Sequence, residues 1–264
     1  MQAAPQGPPL VTEDRGAESG ARIEELIRTE LVALGRFSCP PDDPLWAAEN
    51  YIGEHAHVAF PHVPVRIALR GRAEVVSDVT LALCYAPRQR FRREALTARG
   101  DVCVFAVLDG ALFDQIGPEP FRALPADSFL SVHAAHDPLA LEELIVGLSN
   151  HTAPRPSRWG ERVKELLATR LGDRLTLTEL AAELGTTPFH LARSFRSATG
   201  SSIHQYRIQL RVRTALLRLR EDIDLCSLGL ELGFATHSHF TETFRRAFGR
   251  PPSAVRELLS AGFR

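Results

Sequence analysis

The strongest constraint on this chain is a helix-turn-helix pattern that occurs twice in its last third. The first copy places one helix before Gly185 and a second helix after Pro188, and the second copy repeats the plan around Gly233 and Thr236. Each glycine allows the backbone conformation that a sharp turn between helices requires. Leucine or phenylalanine at three- and four-residue spacing gives each helix one apolar face. The pattern predicts an all-helical C-terminal domain.

Length and charge divide the chain in two. With 264 residues the chain is at the upper size of a single core, about 250–300 residues, so two domains are expected. Residues 1–156 contain 14 arginines and 21 acidic residues (net −7), whereas residues 157–264 contain 17 basic and 11 acidic residues (net +6). Only the second half has the charge that suits a polyanion such as DNA.

The N-terminal half changes from a helical to an extended period. Apolar residues from Arg22 to Leu34 recur close to every 3.6 residues and predict a short amphipathic helix. A helix is also predicted over 137–148, where Asp137 can cap and Pro138 suits the first helical position. Alternating or continuous apolar residues predict strands of one sheet or barrel near 56–60, 65–69, 79–85 and 102–108.

Composition predicts four segments. Pro, Gly and Ala dominate a predicted disordered lead over 1–21, and the mixture of strands and helices predicts an α+β domain over 22–150. Prolines without periodicity predict a linker over 151–157, and the helical DNA-binding segment covers 158–262.

The outward face of the second helix in each copy is the candidate DNA surface. In the first copy the apolar residues Leu191, Phe195 and Ala198 are expected to face inward. Arg193 is the candidate for bidentate contact with guanine, and Arg196 suits a phosphate. The residues predicted to face a groove are Phe189, His190, Arg193 and Arg196 in the first copy, and Thr236, His237, His239 and Thr241 in the second.

A long helix over 202–219 is predicted to join the two copies. At 1.5 Å per residue it spans roughly 27 Å. This length approaches the separation of major grooves one DNA turn apart, roughly 34 Å.

The segment from about Arg162 to Arg256 resembles the double helix-turn-helix domain of the AraC/XylS family of transcription regulators. The resemblance implies seven helices, two of which enter major grooves, and transcription activation through RNA polymerase. It also implies an N-terminal cupin-like barrel that binds a small-molecule effector and supports a homodimer. The residues that carry it include Leu180-Ala181, Gly185, Pro188 to Phe195, Thr199-Gly200, Tyr206, Arg211, Ala215, Leu217, Gly233-Phe234, Ser238-His239-Phe240, Phe244-Arg245, Phe248-Gly249, Pro251-Pro252 and Arg256.

Three positions depart from the family pattern. Gly229 replaces the usual alanine in the inner helix of the second copy, at a cost of up to about 1 kcal/mol in helix propensity. Glu242 stands where a basic residue is common, which predicts weak phosphate binding or contact with cytosine. Ala235 replaces a polar cap, so Thr236 is expected to cap the helix.

The N-terminal half leaves alternatives open. His55, His57 and His62 would suit a metal-dependent cupin-type enzyme, but no second ligand motif accompanies them, and we expect no cofactor and no enzyme activity. The cluster Arg88, Arg90, Arg92 and Arg93 predicts either an anionic effector site or a salt-bridged surface, and Cys84 and Cys103 either inert packing or a redox switch. An apolar stripe at Leu141, Leu144, Ile145 and Leu148 predicts a dimer contact or packing within the chain.

The location of the protein is inferred from its cysteines and hydropathy. Four cysteines without close pairing favour a reducing, cytoplasmic compartment. The absence of a long apolar run or signal segment predicts no membrane partner.

Overall fold

The computed structural model of the protein describes residue 8 and residues 19–117, 119–134, 138–151 and 156–261. Contacts between residues divide the chain into two units. The strand unit comprises Met1–Leu124 and Ala135–Ala153, and the helical unit comprises Pro125–Ala134 and Pro154–Arg264. Most of the lead predicted over 1–21 and of the linker predicted over 151–157 lies outside the described residues.

The strands form two sheets rather than the single sheet or closed barrel that the sequence predicts. The first has the order β1-β2-β9-β4-β7-β10, and the second has the order β3-β8-β5-β6. All neighbouring strands are antiparallel. The strands are β1 (Arg22–Arg28), β2 (Val32–Cys39), β3 (Asn50–Tyr51), β4 (Ala56–Pro61), β5 (Val65–Leu69), β6 (Val75–Ser77), β7 (Leu81–Tyr85), β8 (Arg90–Ala95), β9 (Asp101–Leu108) and β10 (Phe121–Ala123).

The predicted helix over 22–34 is wrong, because this segment forms the hairpin of β1 and β2. Ile23 pairs with Phe37, but a bulge between Glu25 and Ile27 shifts the register so that Ile27 pairs with Leu34. The extra residue interrupts the alternation of a strand and produces the three- and four-residue apolar spacing that resembles a helix.

The core of the strand unit lies between the two sheets. Ile67 and Leu69 of β5 pack in one apolar cluster with Leu83 and Tyr85 of β7, which belong to the other sheet. Burial alternates along β4 and β5, because successive side chains of a strand point to opposite faces of its sheet.

Two helices of the strand unit, α1 (Gly110–Ile116) and α3 (Pro138–Gly147), contact each other. The proposed cap Asp137 lies outside the described residues. Leu141, Ile145 and Leu148 are buried within their own chain. Leu144, the fourth residue of the stripe, is half-buried. This burial favours packing within the chain, and the dimer contact stays a prediction.

The helical unit contains two helix pairs and the helices that support them. The first pair is α5 (Leu177–Glu183) with α6 (Pro188–Thr199), and the second is α8 (Leu225–Glu231) with α9 (His237–Phe248). No helix that the structure describes is long and apolar enough to span a bilayer. The remaining helices are α2 (Ala126–Ala134), α4 (Arg158–Thr169), α7 (Ile203–Arg218) and α10 (Pro252–Ala261).

Arg211 of α7 connects three parts of the helical unit. Its buried guanidinium donates hydrogen bonds to the carbonyl oxygens of Leu171, Asp173 and Gly233, at 3.0, 3.0 and 2.9 Å. Burial, together with the nearby charge of Arg207, lowers the pKa of Arg211 to about 10, so it stays charged at neutral pH. Gly233 has φ of +80°, and a Cβ there would collide with the guanidinium. Glycine thus allows both the turn and this contact.

Candidate functional site

Helix α6 begins and ends at well-formed caps. The Thr187 hydroxyl accepts a hydrogen bond from the backbone N–H of His190, and Pro188 occupies the first turn. Gly200 ends the helix in the left-handed conformation. The residues predicted to face inward, Leu191, Phe195 and Ala198, are buried. These caps and contacts fix which face of α6 points outward.

The outward face of α6 carries the residues predicted for the first copy. Phe189 has 77% of its surface exposed, which is unusual for a phenylalanine. The ring of His190 meets Trp159 of α4 edge-on with centroids 6.3 Å apart, and its Nε2 lies 3.4 Å from the Ser194 hydroxyl. Arg193 and Arg196 are exposed, and neither pairs with a carboxylate among the described residues.

Helix α9 repeats the local plan of α6. Its N-cap is Thr236, as predicted, with the hydroxyl accepting from the backbone N–H of His239 at 3.1 Å. Gly249 ends the helix thirteen residues later, the same interval that separates Thr187 from Gly200. Thr236, His237 and His239 are exposed, whereas Thr241 is half-buried with its hydroxyl 3.4 Å from His237 Nε2.

The two helices differ in charge at equivalent positions. Counting from the caps, Glu242 of α9 occupies the place that Arg193 occupies in α6. The Glu242 carboxylate lies 2.7 Å from Arg245 and 3.6 Å from Arg246, and the hydrogen bond from Arg245 lowers the pKa of the carboxyl group. Two exposed arginines of α9 are thus partly neutralised by their own helix, unlike those of α6.

The departure at Gly229 has a packing explanation. A Cβ built on Gly229 would lie 3.1 Å from three side-chain atoms of Phe240, closer than an ordinary van der Waals contact. Phe240, Phe244 and Phe248 are buried, as predicted, and their rings contact one another along α9 with centroids 5.9 and 4.7 Å apart. The glycine therefore lets α8 approach the phenylalanine side of α9.

Part of the positive charge of the C-terminal half does not reach the surface. Lys164 is buried against Glu161 at 2.8 Å, and Arg211 and Arg213 are also buried. Arg213 places its guanidinium 5.3 Å from the ring centroid of Phe129. Arg193 and Arg196 of α6 are therefore a larger share of the positive charge at the surface of this unit than of the positive charge in its sequence.

A small cleft, partly open to solvent, lies in the strand unit. Its apolar lining includes Phe37, Tyr85, Phe91 and Phe105. The polar lining includes His57 and the buried ion pair of Arg93 with Asp101. Sequence reasoning did not combine these residues, because they come from strands that are distant along the chain and meet only in the fold.

The histidine and arginine clusters take different positions from those a metal or anion site needs. Among the described residues, no three His, Cys, Asp or Glu side chains form a group that could hold a metal ion. Arg88 and Arg90 form surface ion pairs with Glu54 and Glu49. Arg93, in contrast, points inward because strand β8 alternates between exposed and buried residues.

Cys84 of β7 is buried and Cys103 of β9 is half-buried. Burial raises the pKa of the Cys84 thiol to about 11. Burial and the nearby Asp101 raise the pKa of the Cys103 thiol well above its usual value. Both thiols stay protonated at neutral pH, so they are poor nucleophiles and favour the packing interpretation over a redox switch.

A family model described as a helix-turn-helix domain matches residues 180–258, which include the end of α5 and all of α6, α8 and α9. Regulatory protein SoxS of Escherichia coli K12 is 30% identical over 86 residues, which are 32% of this chain and 80% of SoxS. The ornithine utilization regulator of Pseudomonas aeruginosa is 30% identical over 187 residues, covering 70% of this chain and 52% of that protein.

A solved structure of the DNA-binding domain of AdpA, a global transcriptional factor, in complex with a target DNA is also similar. It is 29% identical, covers 40% of this chain and 96% of that one, and has a TM-score of 0.37. The chain spans only 30% to 49% of the length of three further curated relatives.

Proposed function

Because the chain belongs to the AraC/XylS family of transcription regulators, we propose that it reads two adjacent major grooves of its target DNA with α6 and α9. The observation that carries this proposal is the free, exposed pair Arg193 and Arg196 on a helix whose opposite face is buried. A guanidinium that no carboxylate engages is available to a phosphate or to the edge of a guanine.

Each outward residue of α6 has a chemically distinct role in this proposal. Arg193 contacts guanine through its planar donor fork, and Arg196 contacts a phosphate. Phe189 is suited to the methyl group of thymine, which is the apolar feature of the major groove. His190, oriented by Trp159 and Ser194, supplies a hydrogen-bonding edge.

The outward residues of α9 form a weaker reading surface. His237, His239 and Thr241 offer neutral hydrogen-bonding groups, and Thr236 mainly caps the helix. Glu242 forms ion pairs with Arg245 and Arg246 and therefore competes with the DNA phosphates for these two side chains. We therefore assign most of the base discrimination to α6 and a supporting contact to α9.

The proposal extends to regulation. A small-molecule effector in the cupin-like strand unit would control an activator that acts through RNA polymerase as a cytoplasmic homodimer. The cleft between the sheets supports an effector site. The dimer contact would have to use surfaces other than the buried stripe of α3, such as Leu139 and Val146, which the same helix exposes.

The salt dependence of DNA affinity tests the DNA-binding proposal. Full-length protein is titrated against duplex DNA by fluorescence anisotropy between 50 and 200 mM salt. Counterion release from several neutralised phosphates should weaken binding by roughly tenfold or more over this range. The double variant Arg193→Ala, Arg196→Ala should bind less tightly with a shallower slope, and Arg88→Ala should match the original protein. An affinity independent of salt contradicts the proposal.

A further inference from the structure

We propose that the cleft between the two sheets binds a small, uncharged aromatic molecule that carries one hydroxyl or comparable hydrogen-bonding group. This inference rests on the proposed function, since it specifies the chemical class of the effector. It concerns the interior of the strand unit alone.

The hydrogen-bonding requirement comes from His57. This side chain extends from β4 into the cleft, where its ring lies 5.5 Å from that of Phe105. Its Nε2 atom is buried and has no hydrogen-bond partner among the described residues. A buried polar atom without a partner costs free energy, so a ligand that supplies the hydrogen bond gains affinity.

His57 offers no positive charge to a ligand at neutral pH. Burial, with a smaller contribution from the nearby His55, lowers the pKa of His57 to about 4. The imidazole is therefore neutral, with one ring nitrogen as donor and the other as acceptor.

The charge of Arg93 is also already compensated, although its Nε–H is buried without a hydrogen-bond partner among the described residues. This N–H is a second donor that a neutral ligand oxygen can meet. The Nη1 of Arg93 lies 2.8 Å from the Asp101 carboxylate, and both side chains are buried. The guanidinium is held between aromatic rings, 4.9 Å from the Phe37 centroid and 5.0 Å from the Trp46 centroid.

A ligand carboxylate would lose its hydration without meeting a free cation, which is costly in a buried site. A ligand cation would lose its hydration in the same way, because the Asp101 carboxylate is already paired with Arg93. The ligand is therefore uncharged.

The aromatic character follows from the remaining lining. Phe37, Tyr85, Phe91 and Phe105 approach the cleft from both sheets. A planar ring in the cleft can contact these side chains by its face or its edge, the arrangements that aromatic pairs prefer.

Three probes that share the 4-methylphenyl group test the inference on the full-length protein. Toluene supplies the ring alone, p-cresol adds a hydroxyl, and 4-methylbenzoate adds a negative charge. The affinity of each probe is obtained from the rise in melting temperature that binding to the folded state produces over a series of probe concentrations. We expect p-cresol to bind roughly 3- to 10-fold more tightly than toluene, from one net hydrogen bond. 4-Methylbenzoate should bind most weakly.

Variants assign the preference to His57. His57→Leu should remove the advantage of p-cresol over toluene, and His57→Gln, which keeps a hydrogen-bonding group, should retain it. The control His204→Leu removes an exposed histidine of α7 and should leave all three affinities unchanged.

Three results would overturn the inference: 4-methylbenzoate binding as tightly as p-cresol, p-cresol binding no better than toluene, or no binding of any probe at millimolar concentration. The first two contradict the ligand class and leave effector binding intact. The third result would show that the cleft is not an effector site. DNA binding is tested separately by the salt titration. If His57→Leu does not fold, the order of the three affinities in the original protein decides the matter.

Discussion

Arg193 and Arg196 occupy the same helix but are suited to different parts of a DNA duplex. Arg193 lies one turn after the N-terminal residues of α6, and recognition helices contact base edges with this end. Arg196 is nearer the C-terminus, where a side chain can reach the phosphate backbone. Their exposure and lack of ion pairs make both accessible.

Single substitutions should separate these roles. Arg193→Ala should cost about 1–3 kcal/mol on the preferred sequence and relax the preference at one base pair. Arg196→Ala should weaken specific and random DNA alike and reduce the salt slope by about 1. Titrations of both variants on the two kinds of DNA make the comparison. If both variants lose the same affinity on both DNAs, the assignment of roles is wrong.

The sequence predicted single residues well where local chemistry determines them. Thr236 caps α9 as expected, because capping depends on residues within one turn. Arg93 was grouped with the surface arginines, but strand alternation turns it into the interior, where it meets Asp101. That partner lies eight residues away across a turn, and no local pattern revealed the pairing.

At the scale of elements, α6 and α9 share caps and length but not electrostatics. The equivalent of Arg193 is Glu242, which holds Arg245 and Arg246. This asymmetry predicts that α9 contributes less to phosphate binding than its two arginines would allow.

Glu242→Gln tests the asymmetry. Loss of the carboxylate frees both arginines and removes a charge that repels DNA, so affinity for random duplex should rise roughly threefold or more at low salt, with a steeper salt slope. Glu257→Gln on α10 makes the same change in net charge away from these arginines and is the matched control. If both variants gain the same affinity for random duplex, the gain comes from the change in net charge and not from the release of Arg245 and Arg246.

Helix α2 is a component of the helical unit although it precedes the last segment of the strand unit, Ala135–Ala153, in sequence. It contacts α7 and α9, and its Phe129 is fully buried beside Arg213. A fragment that starts at residue 158 lacks this helix, so DNA-binding measurements require the full chain.

Phe129→Ala should lower the free energy of unfolding by about 3–5 kcal/mol, because it removes a buried ring and its contact with Arg213. Ser131→Ala changes an exposed residue of the same helix and should alter stability little. Denaturant unfolding of the two variants measures the difference. A Phe129→Ala protein as stable as the original would show that α2 does not pack on the helical unit.

The elements that sequence reasoning placed correctly have a regular period and local caps. Both helix pairs, and the strands β4, β5 and β9, meet this condition. The hairpin β1-β2 does not, because its bulge imitates a helical period. The position of α2 depends on long-range contacts, which periodicity does not contain.

At the scale of the whole molecule, the chain combines a strand unit that contains a cleft with a helical unit whose helices α6 and α9 we propose to read DNA. The central claim is that both helices read one duplex. Helix α7, with 16 residues, spans roughly 24 Å, which is compatible with reading helices placed in successive major grooves.

In vitro selection from a random duplex library with the full-length protein tests this claim most directly. If α6 and α9 read one duplex, the enriched sequences contain two blocks of specified base pairs centred about 10–10.5 base pairs apart. The block read by α6 is the more strongly specified. Arg193→Ala should erase one position of that block and leave the other block unchanged. A single enriched block, or no enrichment over the starting library, would contradict the proposal that both helices read one duplex.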